Sequence, residues 1–353
     1  MRPINARVAL IGAGTIGARY VESLRQNPGF EVLSVCSQND KSAETLAEQH
    51  DLRASSLEAI LSDPAINYIL NLTPAGAHAA TTRACLQAGK SVYSEKPLAG
   101  TLDEADELIE LAARHHLLLA CAPATFLWPP LATARRLVKE GQLGAISGAL
   151  TTLVYPGPEL FHPSPSHLYS ATAGPLRDMG VYQITALMAL LGPVIRVSAM
   201  ASKAKSERKV RVGSDAGQSF SVCAPTHIHA QLLHARGTIS SLIISFDGIS
   251  ASQPQLHLFG HAAGLRVSDF HAPDATVTLR GPGRCEETVV DQPQWLSSTW
   301  AIGPVSAWKA RHSGRPVETS AYRARAVLEV LLGVEEAAAN GCPVQIMSSK
   351  EWI

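Results

Sequence analysis

The chain has 353 residues, 46% hydrophobic and 17% charged, a length for about two domains and a mixture well removed from that of disordered chains. Lys plus Arg and Asp plus Glu are 30 each, so the net charge is zero, which argues against a general nucleic-acid binder. No apolar run approaches the ~18 residues of a membrane span, and no membrane association is expected.

The first third alternates. Residues 7–11 form a short apolar run closed by glycine, and 15–26 follow with helical spacing at Ile16, Tyr20 and Leu24. Predicted strands at 31–36, 68–72, 91–93 and 117–120 are interleaved with predicted helices at 41–50, 77–88 and 102–115. That alternation predicts βαβ units and a parallel sheet, whose strands are buried on both faces and therefore read as unbroken apolar runs. Beyond Pro123 the texture changes. A helix is predicted over 131–140, a proline-rich ordered loop over 155–166, and a helix over 178–191. Short β-branched runs at 195–200, 227–233, 238–246, 256–259 and 276–279 predict a mostly antiparallel sheet, and 321–339 a last amphipathic helix. The expected domains are 1–122 and 123–353. Residues 1–7 carry no signal-peptide core. The six cysteines (36, 85, 121, 223, 285 and 342) form no CxxC pair. A reducing cytoplasm without disulfides or a metal site is the expectation.

Gly12-Ala13-Gly14-Thr15-Ile16-Gly17 fits GxGxxG between a predicted strand and a predicted helix. The first glycine permits the tight turn, the second lets backbone approach a pyrophosphate, and the third allows close helix–strand packing. The end of the second strand should choose the nucleotide. An acid there would bind the adenosine ribose; the chain has Ser37 and Gln38, with Lys41 near. A carboxylate would repel a 2′-phosphate and these residues would not, so NAD(P) is expected, with NADP favoured over NAD. Thr73-Pro74 and His78 follow the third strand, and Glu95-Lys96-Pro97 the fourth, at the carboxyl edge where such sheets bind ligands. Asp178 and Tyr182 are i and i+4 on a predicted helix and would share a face.

The GxGxxG start, the Thr-Pro…His run, Glu95-Lys96-Pro97 and the stretch from Gly174 to Tyr182 together resemble the Gfo/Idh/MocA oxidoreductases, the glucose–fructose oxidoreductase and inositol dehydrogenase group. The resemblance covers nearly the whole chain in order. It implies an α/β protein: an N-terminal Rossmann dinucleotide-binding domain, then a C-terminal α/β domain with a large open, mostly antiparallel sheet. It also implies hydride transfer between a nicotinamide and a secondary alcohol or ketone of a sugar, cyclitol or related polyol. By position, Lys96 resembles the catalytic lysine, Asp178 the substrate-binding acid, and Tyr182 the proton carrier that is His in many members. Cofactor contacts are expected from Gly12, Gly14, Thr15, Ile16, Gly17, Ser37, Gln38, Thr73, Pro74, His78, Glu95 and Lys96. Substrate contacts are expected from Lys96, His162, Asp178, Tyr182 and His227; Phe161-His162-Pro163 and Pro225-Thr226-His227 resemble one branch of the family. A homodimer or homotetramer follows, since an uncovered apolar sheet face must be buried somewhere. Two readings stand beside this one: a non-catalytic dinucleotide or sugar sensor of the same fold, and a redox-assisted glycoside-cleaving enzyme.

Overall fold

The structure, a computed structural model, describes residues 5–250, 255–283, 286–296 and 299–348. Cys285 and the start of the expected N-terminal reading, residues 1–4, lie outside them. Two compact units result: 1–127 with 295–328, and 128–294 with 329–353.

In the first unit, six strands run β1 (Ala6–Ile11), β2 (Phe30–Cys36), β3 (Arg53–Ala54), β4 (Tyr68–Asn71), β5 (Ser91–Ser94) and β6 (Leu119–Cys121). They pair in parallel in the order 3-2-1-4-5-6, which is the doubly wound dinucleotide-binding order. Helices α1 (Gly17–Arg25), α2 (Asp40–Gln49), α3 (Leu57–Ser62), α4 (His78–Gln87) and α5 (Leu102–Arg114) make the crossovers. Their starts are chemically marked. Asn39 caps α2 through the Ser42 amide, and Thr101 with Glu104 forms a reciprocal capping box on α5, satisfying amides that helix geometry leaves without partners. The strands fill the core with Val8, Leu10, Val35, Tyr68 and Leu70.

A single boundary at 122/123 does not describe the chain. Residues 295–328 return to the first unit, carrying α8 (Ile302–His312). Trp308 packs against Tyr68, with ring centroids 4.7 Å apart, and the Tyr68 hydroxyl donates to the Pro304 carbonyl at 3.1 Å. Gly303 permits the approach: a Cβ there would lie 2.2 Å from the Tyr93 hydroxyl oxygen. Aromatic burial, which no local periodicity announces, decides where this segment belongs.

The second unit begins with α6 (Pro129–Lys139) and is built on a nine-stranded sheet. Its strands are β7 (Ile146–Val154), β8 (Val194–Ser202), β11 (His227–His234), β12 (Ile239–Ser245), β13 (Gln255–Gly260), β14 (Gly264–Val267), β15 (Val277–Arg280), β16 (Thr288–Val289) and β17 (Val344–Gln345). The remaining strands, β9 (Glu207–Lys209) and β10 (Ser219–Ser221), form a separate hairpin. The large sheet is antiparallel except for the β7–β12 pair. Alternation sorts its faces. Thr151, Leu242, Ala230 and Leu256 share the inward row, while Met200, Ile239, Phe259 and His229 point outward. Helix α7 (Val181–Leu191) is apolar nearly all round and buried, and its Gln183 amide donates to the Thr151 hydroxyl and the Ile243 carbonyl. Helix α9 (Ala321–Asn340) leads into β17. Among the described residues no helix is long and apolar enough to cross a membrane.

The sequence misses β7, whose small residues Ser147, Gly148 and Ala149 dilute the strand signal. The loop expected over 155–166 is ordered by 3₁₀ turns at Pro158–Leu160 and Pro165–Tyr169. The helix expected from Asp178 is interrupted: Leu176–Gly180 forms a π turn and the α-helix begins at Val181. Cys36, Cys85 and Cys121 are buried, Cys223 and Cys342 exposed, and all five are free. Burial pushes the Cys36 thiol up to about 11 and Cys85 to about 12.

Candidate active site

The glycine turn has the shape its spacing predicts. Gly12 sits at φ +110°, and a Cβ there would lie 2.4 Å from the Leu72 carbonyl oxygen, so only glycine fits. Gly17 packs on α2, with its virtual Cβ 3.1 Å from a Leu46 methyl. Gly14 has nothing within 4 Å on that side and, with Thr15, is exposed at the N-terminus of α1. Open backbone at a helix N-terminus suits an anion. One groove is lined by Gly14 and Thr15 together with Asn39, Lys41 and Ser42. Ser37 lies at its strand-end side, its hydroxyl accepting from the Asn39 amide at 3.4 Å; Gln38 is exposed beside it. These residues fit a dinucleotide: a close-approach glycine, a free helix end, and no carboxylate at the end of β2.

At the carboxyl edge of β4 and β5 the turns are knitted by buried polar groups. Asn71 accepts from the Thr73 hydroxyl (2.7 Å) and amide (3.3 Å), and donates to the His78 carbonyl and the Thr82 hydroxyl. Glu95 accepts from the Tyr20 hydroxyl at 2.8 Å and from the Lys96 amide at 3.2 Å. Its carboxylate is thus engaged in holding the turn that presents half-buried Lys96. The Lys96 charge acts on Cys121, lowering a thiol that burial otherwise drives well up. His78 departs from the expectation of a cofactor contact: its side chain is buried, and both ring nitrogens face backbone carbonyls, of Pro97 at 2.6 Å and Thr73 at 2.7 Å. Pro74 leads into the short turn Ala75–Ala77 that precedes it.

In the second unit the acid is carried by the π turn. Arg177 is clamped to Glu335 by two hydrogen bonds of 2.6 and 2.7 Å, which fixes the turn that holds Asp178. Hydrogen bonding to i+5 changes the angular spacing, so the regular-helix argument for a shared Asp178–Tyr182 face does not apply. Two groups feel the Asp178 charge. Burial raises the Tyr155 phenol strongly, with the Asp178 and Glu159 charges adding to it. Burial and the neighbouring His167 lower His162, against the pull of Asp178. Tyr155 and His162 thus both lie within range of the Asp178 charge. The Ser164 amide donates to His162 Nδ1 at 3.0 Å, which puts the proton of the neutral ring on Nε2. Tyr182, half-buried in the first turn of α7, meets His271 edge to face at 5.2 Å. His271 follows Asp269, which accepts its amide at 2.9 Å and whose carboxyl burial holds above its ordinary range.

His227 is placed elsewhere. It starts β11 on the outward row, its Nε2 3.0 Å from that of His229. The loop bearing His162 is anchored instead by a buried ion cluster that sequence reasoning misses. Arg208 donates to Glu159 at 2.5 Å, to the Pro156 and Phe246 carbonyls at 3.0 and 2.8 Å, and to Asp247. Glu159 also accepts from Tyr169, and Asp247 from the Thr226 hydroxyl at 2.5 Å. Gly157, at φ +105°, is required here, since a Cβ would fall 2.3 Å from both Glu159 and Tyr169 oxygens. No local motif links residues 159, 208 and 247; only the fold does.

Family models match both parts of the chain: the NAD-binding Rossmann domain of the Gfo/Idh/MocA oxidoreductases over residues 6–122, and a Gfo/Idh/MocA C-terminal domain over 131–266. The chain belongs to the Gfo/Idh/MocA oxidoreductase family. Among curated relatives, it is 26% identical to trans-1,2-dihydrobenzene-1,2-diol dehydrogenase of Bos taurus, over 53% of this chain and 56% of that one. It is 29% identical to D-xylose dehydrogenase of Paenarthrobacter nicotinovorans, over 46% of this chain and 43% of that one. The matched stretches thus span about half the length of these relatives. A levoglucosan dehydrogenase solved with NADH and L-sorbose shares the fold at a TM-score of 0.86, with 20% identity, 98% of this chain and 100% of that one covered.

Proposed function

We propose that the protein transfers a hydride between NAD(P) and a secondary alcohol or ketone of a sugar, cyclitol or related polyol. The observation that carries this is the glycine turn, where Gly12 admits no Cβ and Gly14 stands open at the N-terminus of α1, as a dinucleotide pyrophosphate requires. The names of the relatives agree, since a diol and a sugar are the substrates they state. Bound nicotinamide supplies the redox chemistry; the chain supplies geometry and proton handling. Lys96 is assigned to the nicotinamide end, on a turn held by Glu95. Asp178 accepts a hydrogen bond from a substrate hydroxyl. Tyr182 is assigned the proton of the reacting hydroxyl; His162, whose Nε2 bears its ring proton, is its competitor.

NADP is the proposed cofactor. Lys41 and Ser42 line the groove beside the glycine turn, at the start of α2, where a 2′-phosphate would meet a cation and a hydroxyl. The test is a panel of pentoses, hexoses, anhydrosugars and inositols, each with NAD⁺ and NADP⁺, read by reduced-nicotinamide absorbance. Turnover with one cyclic polyol and tighter NADP⁺ binding are expected. Silence across the panel overturns the activity, and tighter NAD⁺ binding overturns the cofactor preference.

A further inference from the structure

His227 and His229 are i and i+2 on β11, so their side chains leave the same face of the large sheet, the outward one. Their Nε2 atoms stand 3.0 Å apart, with ring centroids at 4.8 Å and planes inclined by 50°. His229 is exposed and His227 half-buried, so the pair is open to water. Two neutral imidazoles in this position share one proton, one ring donating and the other accepting. A metal ion can take the place of that proton: the proton moves to Nδ1 of its own ring, and each Nε2 offers a lone pair. Among the described residues no group of three or more His, Cys, Asp or Glu could hold a metal, so any site here is a histidine pair completed by other donors. The expectation of no metal site rests on cysteine spacing, which does not register histidines alternating on a strand.

The register supplies one such donor. His229 stands directly opposite Met200 of β8, which is 81% exposed. Cβ atoms so paired lie about 4.5–5.5 Å apart, and the rotatable bonds of methionine let its sulfur swing toward the imidazole. The other residues paired with the two histidines are Ile243, Ser202 and Ser245, so the thioether is the soft donor of this patch. The nitrogen spacing selects the geometry. At a metal–nitrogen bond of about 2.0–2.1 Å, a 3.0 Å separation subtends about 95° at the metal, whereas a tetrahedral ion needs about 3.3 Å. Imidazoles at a right angle form the cis edge of a tetragonal site, the geometry of Cu(II) and Ni(II); the affinity order of divalent ions and the neighbouring thioether favour copper. We infer that His227 and His229, with Met200 beside them, form a copper-binding site on the outward face of the large sheet, its remaining positions taken by water. Desolvation and the neighbouring His227 lower the His229 imidazole, which keeps its lone pair available near neutral pH. The site shares no residue with the glycine turn, Asp178 or Tyr182, and it is independent of the proposed reaction.

The test uses the untagged full chain, stripped with EDTA, its exposed thiols (Cys223 and Cys342 among them) alkylated, and titrated with CuCl₂ at pH 7.5. Electron paramagnetic resonance should show one Cu(II) per chain, tetragonal, with superhyperfine splitting from two nitrogens, in whatever assembly the chain adopts. Linking two donors raises affinity by about 10²–10⁴-fold over one, so His227→Gln and His229→Gln should each weaken binding by at least about 10²-fold in competition with a chromophoric chelator. Circular dichroism checks that both variants keep the fold. Met200→Leu should retain Cu(II) and weaken Cu(I), titrated anaerobically under ascorbate, because a thioether prefers the softer ion. A one-nitrogen spectrum of the wild type, or wild-type Cu(II) affinity in either histidine variant, overturns the site; the 3.0 Å contact is then an N–H···N hydrogen bond only. Unchanged Cu(I) affinity in Met200→Leu overturns the part given to the thioether.

Discussion

Replacing Arg208 by Met tests whether the loop that carries Tyr155 and His162 is set by the buried ion cluster. The side chains of Arg208, Glu159 and Asp247 are 7%, 7% and 9% exposed. Removing the cation strands two carboxylates and takes a donor from the Pro156 and Phe246 carbonyls. Breaking a buried pair by deleting one partner costs about 3–5 kcal/mol, and here one deletion breaks two. The expected loss lies at the upper end of that range, because the methionine fills space and supplies no donor. Urea unfolding followed by circular dichroism measures it, with hydrogen exchange over residues 156–169 to localise it. Adding Glu159→Gln should return part of the loss, since the amide keeps an acceptor for Tyr169 and removes one stranded charge. The coupling in that cycle is expected at about 1–3 kcal/mol. Turnover of the single variant should fall by roughly 10²-fold through misplacement of the loop. A destabilisation under about 1 kcal/mol, the range of exposed pairs, would refute the reasoning.

Tyr182→Phe keeps the ring against His271 and removes only the hydroxyl; kcat should fall about 10²–10⁴-fold with little change in unfolding midpoint, as should Lys96→Ala with cofactor affinity largely kept. Wild-type turnover in Tyr182→Phe would move the proton role to His162. Burial holds His234 below its ordinary titration range. The unfolded chain therefore binds a proton near pH 6.5 that the folded chain refuses, and stability falls as pH drops below that value, by up to about 1.4 kcal/mol per unit; His234→Gln should flatten this slope in urea titrations at pH 7.5 and 5.5. The outward sheet face exposes Met200 by 81%, Ile239 by 52% and Phe259 by 48%. A homodimer or homotetramer is expected, and sedimentation giving only monomer at micromolar concentration would count against it.

Legibility followed the range of the interactions involved. The parallel sheet could be read because each strand's burial on two faces is written in its own residues, as in Tyr68–Asn71. The glycine turn could be read because tight turning, close approach and helix packing each demand a missing Cβ at a fixed place, and Gly12 and Gly17 meet those demands. The segment 295–328 could not, because its place depends on Trp308 meeting Tyr68, 240 positions away in the chain. The strand at Ile146–Val154 was hidden for another reason: it is central in its sheet, where both neighbours supply the pairing and its own β propensity matters little.

The candidate site divides along the same line, and His78 marks the division. Its residue type and position led to the correct edge of the sheet. What could not be read was the direction of the ring, which turns inward to two carbonyls. The same holds for Asp178. Its acid character was visible, but periodicity does not distinguish an i+4 spacing from the wider π turn that carries it. Tyr155 and His162, which feel its charge, lie in a proline-rich loop held by Arg208, far along the chain. A motif states which chemistry reaches an edge, whereas orientation is set by whichever distant group satisfies the polar atoms behind it. That is why Glu95, Asn71 and Arg208, none of which needs to touch a substrate, are the residues whose loss should most disturb those that do.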